Sequence, residues 1–126
     1  MPGLGGYGVE WIVDAKGCRP ADLRDPRALR HIFETLIHDL DLHPIGRPVW
    51  HRFPGPGGIT GFWMLSESHL ACHTFPEYGA LCLNLYCCRP RRPWPWLDRL
   101  GKLVGAREVS VCPVRRNYGI AGKERA

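Results

Sequence analysis

Residues 80–87 read Ala-Leu-Cys-Leu-Asn-Leu-Tyr-Cys, and this alternation constrains the fold more than any other stretch. With a period of two, Leu81, Leu83 and Leu85 go to one face of a strand, and Cys82, Asn84 and Tyr86 go to the other. Such a strand needs a covering layer on its leucine side, the pattern of an antiparallel sheet with one packed face.

The remaining segments supply neighbours and a cover. Residues 7–14 are rich in strand formers and are followed by Lys16-Gly17. Asp25-Pro26 predicts a helix start, with Asp25 as N-cap and proline at the first helical position. From there Leu29, Ile32, Phe33, Leu36, Ile37 and Leu40 fall at helical spacing, until Pro44 and Gly46 end the element. A short strand is expected over 48–53, then the loop Pro54-Gly55-Pro56-Gly57-Gly58. Strands are expected over 59–65, 70–74 and 80–87, with Pro76 breaking the second. A short helix is expected over 93–104, carrying Trp96, Leu97, Leu100 and Leu103, then a last strand over 108–114 and a loose polar tail over 115–126. The fold class is therefore α+β, with two helices packed on one face of a largely antiparallel sheet. This leaves the other face uncovered. Its apolar content, including Trp and Leu positions on several strands, predicts burial against a second sheet in a dimer, giving an α/β/β/α sandwich.

At 126 residues the chain fits a single domain, 1–126. No apolar run approaches the ~20 residues of a membrane span, so no membrane partner is expected. The start Met-Pro-Gly-Leu-Gly-Gly lacks the basic-then-apolar pattern of a signal peptide. Six cysteines are even in number, as in a disulfide scaffold. Without an export signal, and with 44% hydrophobic residues available for a core, reduced thiols in a cytoplasmic protein are the better reading. The net charge of +5 comes largely from arginines, among them Arg89, Arg91, Arg92, Arg115 and Arg116. They are not interleaved with aromatics in a nucleic-acid reader pattern, so solvated surface is the default and no nucleic-acid partner is assigned.

Chemistry concentrates in 66–77, Ser-Glu-Ser-His-Leu-Ala-Cys-His-Thr-Phe-Pro-Glu. His69 and His73 have an H-x3-H spacing, but no C-x2-C pair accompanies them, and no metal site is assigned. A serine hydrolase would need a G-x-S-x-G elbow, and Glu67-Ser68-His69 has no flanking glycine. Cys88 with His73 is open as a nucleophile–base pair, against the commoner reading of buried inert thiols.

Taken together, His51-Arg52-Phe53, Gly58-Ile59-Thr60-Gly61, Ser66-Glu67-Ser68-His69-Leu70, His73-Thr74-Phe75-Pro76-Glu77-Tyr78-Gly79 and Cys88 resemble the short prokaryotic class of S-adenosylmethionine decarboxylases. The likeness covers nearly the whole chain. It implies a proenzyme that cuts itself between Glu67 and Ser68 into a 1–67 β chain and a 68–126 α chain. Residue 68 would become a pyruvoyl group, so no external cofactor is required. The ketone would condense with the substrate amine as a Schiff base and act as electron sink after loss of carbon dioxide.

The resemblance also assigns roles. His73 and Thr60 match positions that assist processing, with threonine where serine is usual. Cys88 matches the general acid that returns a proton to the product. Phe53 matches an aromatic that stacks on adenine, and Glu77 a carboxylate that holds the ribose hydroxyls. Phe75 stands in the substrate site where tryptophan is usual, Asn84 where aspartate is, and Arg89 where glycine is. Gly55-Pro56-Gly57 makes its loop one residue longer than is common. Pyruvoyl and cysteine would come from one subunit, and the Phe53, His73 and Glu77 side from its neighbour, giving a homodimer with composite sites. The small-molecule substrate is S-adenosylmethionine on the leading reading, for spermidine biosynthesis. A plain amino acid such as arginine or ornithine is the alternative, and a non-processing homologue a third.

Overall fold

A computed structural model of the chain describes residues 6–119. In order these form β1 (Tyr7–Lys16), a one-turn helix α1 (Pro20–Leu23), α2 (Pro26–Asp39), β2 (Val49–Arg52), β3 (Ile59–Met64) and β4 (Ser68–Phe75). A 3-10 turn (Pro76–Tyr78), β5 (Ala80–Cys87), α3 (Trp96–Val104) and β6 (Glu108–Asn117) follow. The strands make one sheet in the order β2-β3-β4-β5-β1-β6, and every neighbouring pair is antiparallel.

The helices lie on one face of this sheet, as the sequence implies. Asp25 caps α2 by accepting from the Arg27 N–H at 2.9 Å, ahead of Pro26. Leu29, Ile32, Phe33 and Leu36 are buried against Leu70, Leu81, Leu83 and Leu85 from the strands. At roughly 1.5–3 kcal/mol for each fully buried large apolar side chain, this layer is the main source of stability. Phe33 stacks on Trp50 of β2 with ring centroids 5.4 Å apart. Gly61 on the neighbouring strand makes that possible, because a Cβ there would stand 2.2 Å from the indole. The Trp94 indole N–H donates to Asp39 Oδ2 at 2.8 Å, and Arg99 pairs with the same carboxylate at 3.2 Å, tying α3 to the end of α2.

Several expectations need correction. β4 starts at Ser68 rather than Leu70, because the two-residue turn Ser66-Glu67 already returns the chain: Leu65 N–H donates to Ser68 O at 3.0 Å. β6 runs on to Asn117 instead of fraying after Val114. Its backbone continues to pair with β1, Arg115 lies 3.6 Å over the Tyr7 ring, and Arg116 pairs with Glu10 at 2.7 Å. Ladder bonds are indifferent to side-chain polarity, so the charged segment pairs as readily as an apolar one. The remainder of the expected tail, 120–126, and the start, 1–5, lie outside the described residues. In α3 the buried side is Trp96, Leu100 and Val104, whereas Leu97 faces outward.

The open sheet face exists, with different residues from those expected. Trp11, Trp63 and the leucines all point to the helix layer. What the open face carries is Ile12, Phe62, Met64, His69 and Tyr86, each on the opposite phase of its strand.

Candidate active site

The turn between β3 and β4 holds Glu67 and Ser68 in one continuous chain, with Ser68 opposite Cys87 in the β4–β5 ladder. One residue on, the Cys88 N–H donates to the Glu67 carbonyl oxygen at 2.8 Å. That bond fixes and polarises the carbonyl directly before Ser68, as an oxyanion donor would. Strand phase sends Ser68 inward, onto the same side of the sheet as Cys87, its partner in the ladder. Burial pushes Cys87 up to about 11, with Arg91 and the Ser68 hydroxyl acting in the opposite direction. Gly8 is required alongside, since a Cβ there would stand 2.1 Å from the Cys87 carbonyl oxygen.

Cys88 has the opposite phase to Cys87, toward the open face. Its neighbours there were not singled out from sequence. The Tyr86 hydroxyl is raised above its ordinary range, first by burial and then by the Cys88 thiol beside it. Tyr118 O–H donates to the Cys88 carbonyl at 2.8 Å. Across the strands, Phe62, His69 and Tyr86 form a ring-to-ring row with centroids 5.9 and 5.6 Å apart. The i, i+2 spacing of Tyr86 and Cys88 was the available signal for their contact. Arg89, noted in sequence only as a departure, pairs with Glu67 at 2.5 Å.

A second group lies at the other end of β4. Phe53, Thr60, His73, Phe75 and Glu77 line a cavity of about 470 Å³, a size typical of small-molecule sites, which run from ~300 to 1,000 Å³. Thr60 Oγ1 and His73 Nδ1 are 3.1 Å apart, facing across the β3–β4 ladder. Phe53 and Phe75 are 49% and 41% exposed, so their rings are free to receive a planar group. The cavity wall is built by the 54–58 loop, closed by Phe53 N–H to Gly58 O at 2.8 Å and gripped by Arg24 Nε on Pro56 O at 2.8 Å. Thr74 holds this end together from below. Its hydroxyl accepts from Ile59 N–H at 2.9 Å and donates to Leu23 O at 2.8 Å, the reason a threonine belongs in that motif.

Within one chain the two groups do not meet. Ser68 and His73 are five positions apart, roughly 17 Å along a strand at about 3.4 Å per residue. Strand phase also puts them on opposite faces. Asn84 lies between, donating to Glu10 Oε2 at 2.8 Å. All six cysteines are free, and Cys72 is pushed up to about 12 by burial. Among the described residues no group of three or more His, Cys, Asp or Glu could hold a metal ion.

The family model described as S-adenosylmethionine decarboxylase matches residues 9–117. The chain belongs to the S-adenosylmethionine decarboxylase family. Relatives agree: it is 34% identical to the S-adenosylmethionine decarboxylase proenzyme of Clostridium tetani, over 90% of this chain and 89% of that protein. It is 30% identical to the proenzyme of the same name from Syntrophomonas wolfei, over 90% of each. The crystal structure of the adenosylmethionine decarboxylase from Aquifex aeolicus shares the fold, with a TM-score of 0.75 at 19% identity, covering 97% of this chain and all of that one. The matched span contains both residue groups, from Phe53 to Cys88. No helix among the described residues is long and apolar enough to cross a membrane.

Proposed function

We propose that this member of the S-adenosylmethionine decarboxylase family is a proenzyme that cuts itself between Glu67 and Ser68 and then decarboxylates S-adenosylmethionine. The observation that carries this reading is the Cys88 N–H on the Glu67 carbonyl, at the bond before a serine whose hydroxyl can attack that carbon. Attack converts the amide to an ester. Elimination then releases 1–67 with a carboxylate at residue 67 and leaves residue 68 as dehydroalanine, which water hydrolyses to a ketone and ammonia. The ketone at the head of 68–126 supplies the electron sink that pyridoxal phosphate supplies elsewhere.

The chain's own groups do the rest. Cys88, adjacent to that new terminus and beside Tyr86, returns the proton to the product carbon. Phe53 and Phe75 take the adenine face, and Glu77 holds the ribose hydroxyls at the same cavity. Thr60 and His73 form the processing pair.

Because the two groups lie at opposite ends of β4, a working site takes Ser68 and Cys88 from one protomer and the cavity from another. A homodimer that buries Phe62, Met64, Ile12 and Tyr86 between two sheets brings them together. It also covers the exposed apolar face.

Intact mass of the purified protein tests the reading. Expected are two chains, the 68–126 chain blocked to N-terminal sequencing and reactive in reductive amination. One uncut chain of 14.3 kDa would refute it. Carbon dioxide release measured in parallel from S-adenosylmethionine, arginine and ornithine then tests the substrate. Release from the amino acids alone would overturn the adenosyl assignment.

A further inference from the structure

Beside the Glu67–Ser68 bond lies a second cavity, of about 290 Å³, in which Asp41, His43 and Ser66 accompany Glu67, Arg89 and Arg91. Arg89 Nη2 holds Glu67 Oε2 at 2.5 Å, and Arg91 Nη2 stands 4.0 Å from Oε1. The Arg91 side chain is only 20% exposed, and its Nε is buried with no hydrogen-bond partner in the protein. Asp41 forms no ion pair with either arginine within 4.0 Å. A half-exposed ion pair contributes little to stability by itself. A buried guanidinium donor without an acceptor is costly, and a nearby carboxylate would relieve it.

The significance lies in what Glu67 becomes. Resting on the self-cleavage reading above, the elimination step breaks the Ser68 Cβ–O bond and removes the Cα proton. The electron pair of the broken bond leaves with the Glu67 main-chain carboxylate. Residue 67 thereby goes from one negative charge to two, in a cavity holding two guanidinium groups. One of these has a spare buried donor. We propose that Arg89 and Arg91 form a carboxylate receptor that stabilises the departing chain end, so that they act as positioning residues for the elimination half of self-cleavage. Charge that develops only as the bond breaks is where fixed cations lower a barrier most.

The step predicts a readout that a merely structural role would not give. The full chain is made by cell-free synthesis as wild type, Arg89→Gln, Arg91→Gln and the two lysine variants. Each is followed by intact mass with and without hydroxylamine, which cuts an ester but spares an amide. Wild type is expected to pass to a blocked 68–126 chain. The glutamine variants should accumulate an uncut species that hydroxylamine splits, leaving a free N-terminal serine, with elimination slowed about tenfold or more. The lysine variants should recover part of the rate. Glutamine variants that process at the wild-type rate, or that slow without a hydroxylamine-sensitive species, would overturn the proposal. Wild type that stays uncut would overturn the self-cleavage reading and the receptor with it. Should Arg91→Gln fail to fold, Arg89→Gln, altered at a half-exposed side chain, carries the same test.

Discussion

The backbone N–H of Cys88 reaches the carbonyl oxygen of Glu67 at 2.8 Å, while the Cys88 side chain has the phase of the open face beside Tyr86. Position 88 thus splits into two functions, a main-chain donor and a thiol. Cys88→Ala keeps the first and removes the second. Self-cleavage is expected to proceed to completion, and decarboxylation to fall about 100-fold or more, the usual scale for losing a general acid. Mass and carbon dioxide release on the same sample check both halves. A variant that stays uncut would tie the thiol itself to processing.

The Thr60–His73 pair should behave differently, because the 3.1 Å contact depends on the hydroxyl rather than on threonine as such. Thr60→Ser is expected to cleave as wild type does. Thr60→Val keeps the shape but frees the imidazole, and cleavage should slow by about tenfold, the value of one ordinary hydrogen bond. Time courses of cell-free product separate the two, and equal rates would remove Thr60 from processing.

The fold was readable where periodicity was strong. Leu81, Leu83 and Leu85 face the helices as their alternation requires, and α2 starts at the Asp25-Pro26 signal. Boundaries set by backbone pairing were less legible. Nothing in Arg115-Arg116-Asn117 announces a strand, because those residues are held by the β1 ladder and by Tyr7 and Glu10, far away in sequence. At the site, the family resemblance named both groups, yet their separation along β4 emerges only from register. Arg89 shows the limit most plainly. As a sequence departure it had no partner, and only the Ser66-Glu67 turn brings Glu67 to it.

Trp94 and Asp39 give a pH-dependent prediction. The Asp39 carboxyl is held below its ordinary range, first by the Trp94 indole donor, against a smaller opposing effect of burial. His38 and Arg99 lower it further. A carboxylate with a depressed folded-state pKa stabilises the fold above its unfolded pKa, near ~3.9, and loses that contribution as pH falls through the folded value. Trp94→Phe keeps a ring against Trp96 and removes the donor. Stability at neutral pH should drop by about 1–2 kcal/mol, and the difference from wild type should shrink below pH 4. Urea midpoints across pH measure this, and a gap independent of pH would point to packing instead.

Gly61 offers a packing test next to the Thr60–His73 pair. A methyl there would meet the Trp50 ring at 2.2 Å and the Cys72 sulfur at 3.2 Å, so the indole must leave its stack on Phe33. Gly61→Ala is expected to cost about 1–3 kcal/mol, read as a lowered Tm. Self-cleavage should slow with it, since Gly61 sits beside Thr60 in the ladder. An unchanged Tm would mean that β2 is free to shift, contrary to the stacking seen here.

The last prediction concerns the distance between Ser68 and His73. If each site joins the Cys88 end of one protomer to the Phe53–Glu77 cavity of the other, two differently disabled chains should repair each other. On the roles proposed above, Cys88→Ala removes the acid and Glu77→Gln the ribose carboxylate, and each alone should be nearly inactive. In a two-fold heterodimer both lesions fall in one site and the other site is whole. Random mixing makes about half the dimers mixed, so co-expression should restore roughly a quarter of wild-type activity. Mixing the purified homodimers without exchange should restore none. Sites built within a single chain would give no recovery in either case, and would require β4 to place both groups in one cavity, which its register does not do.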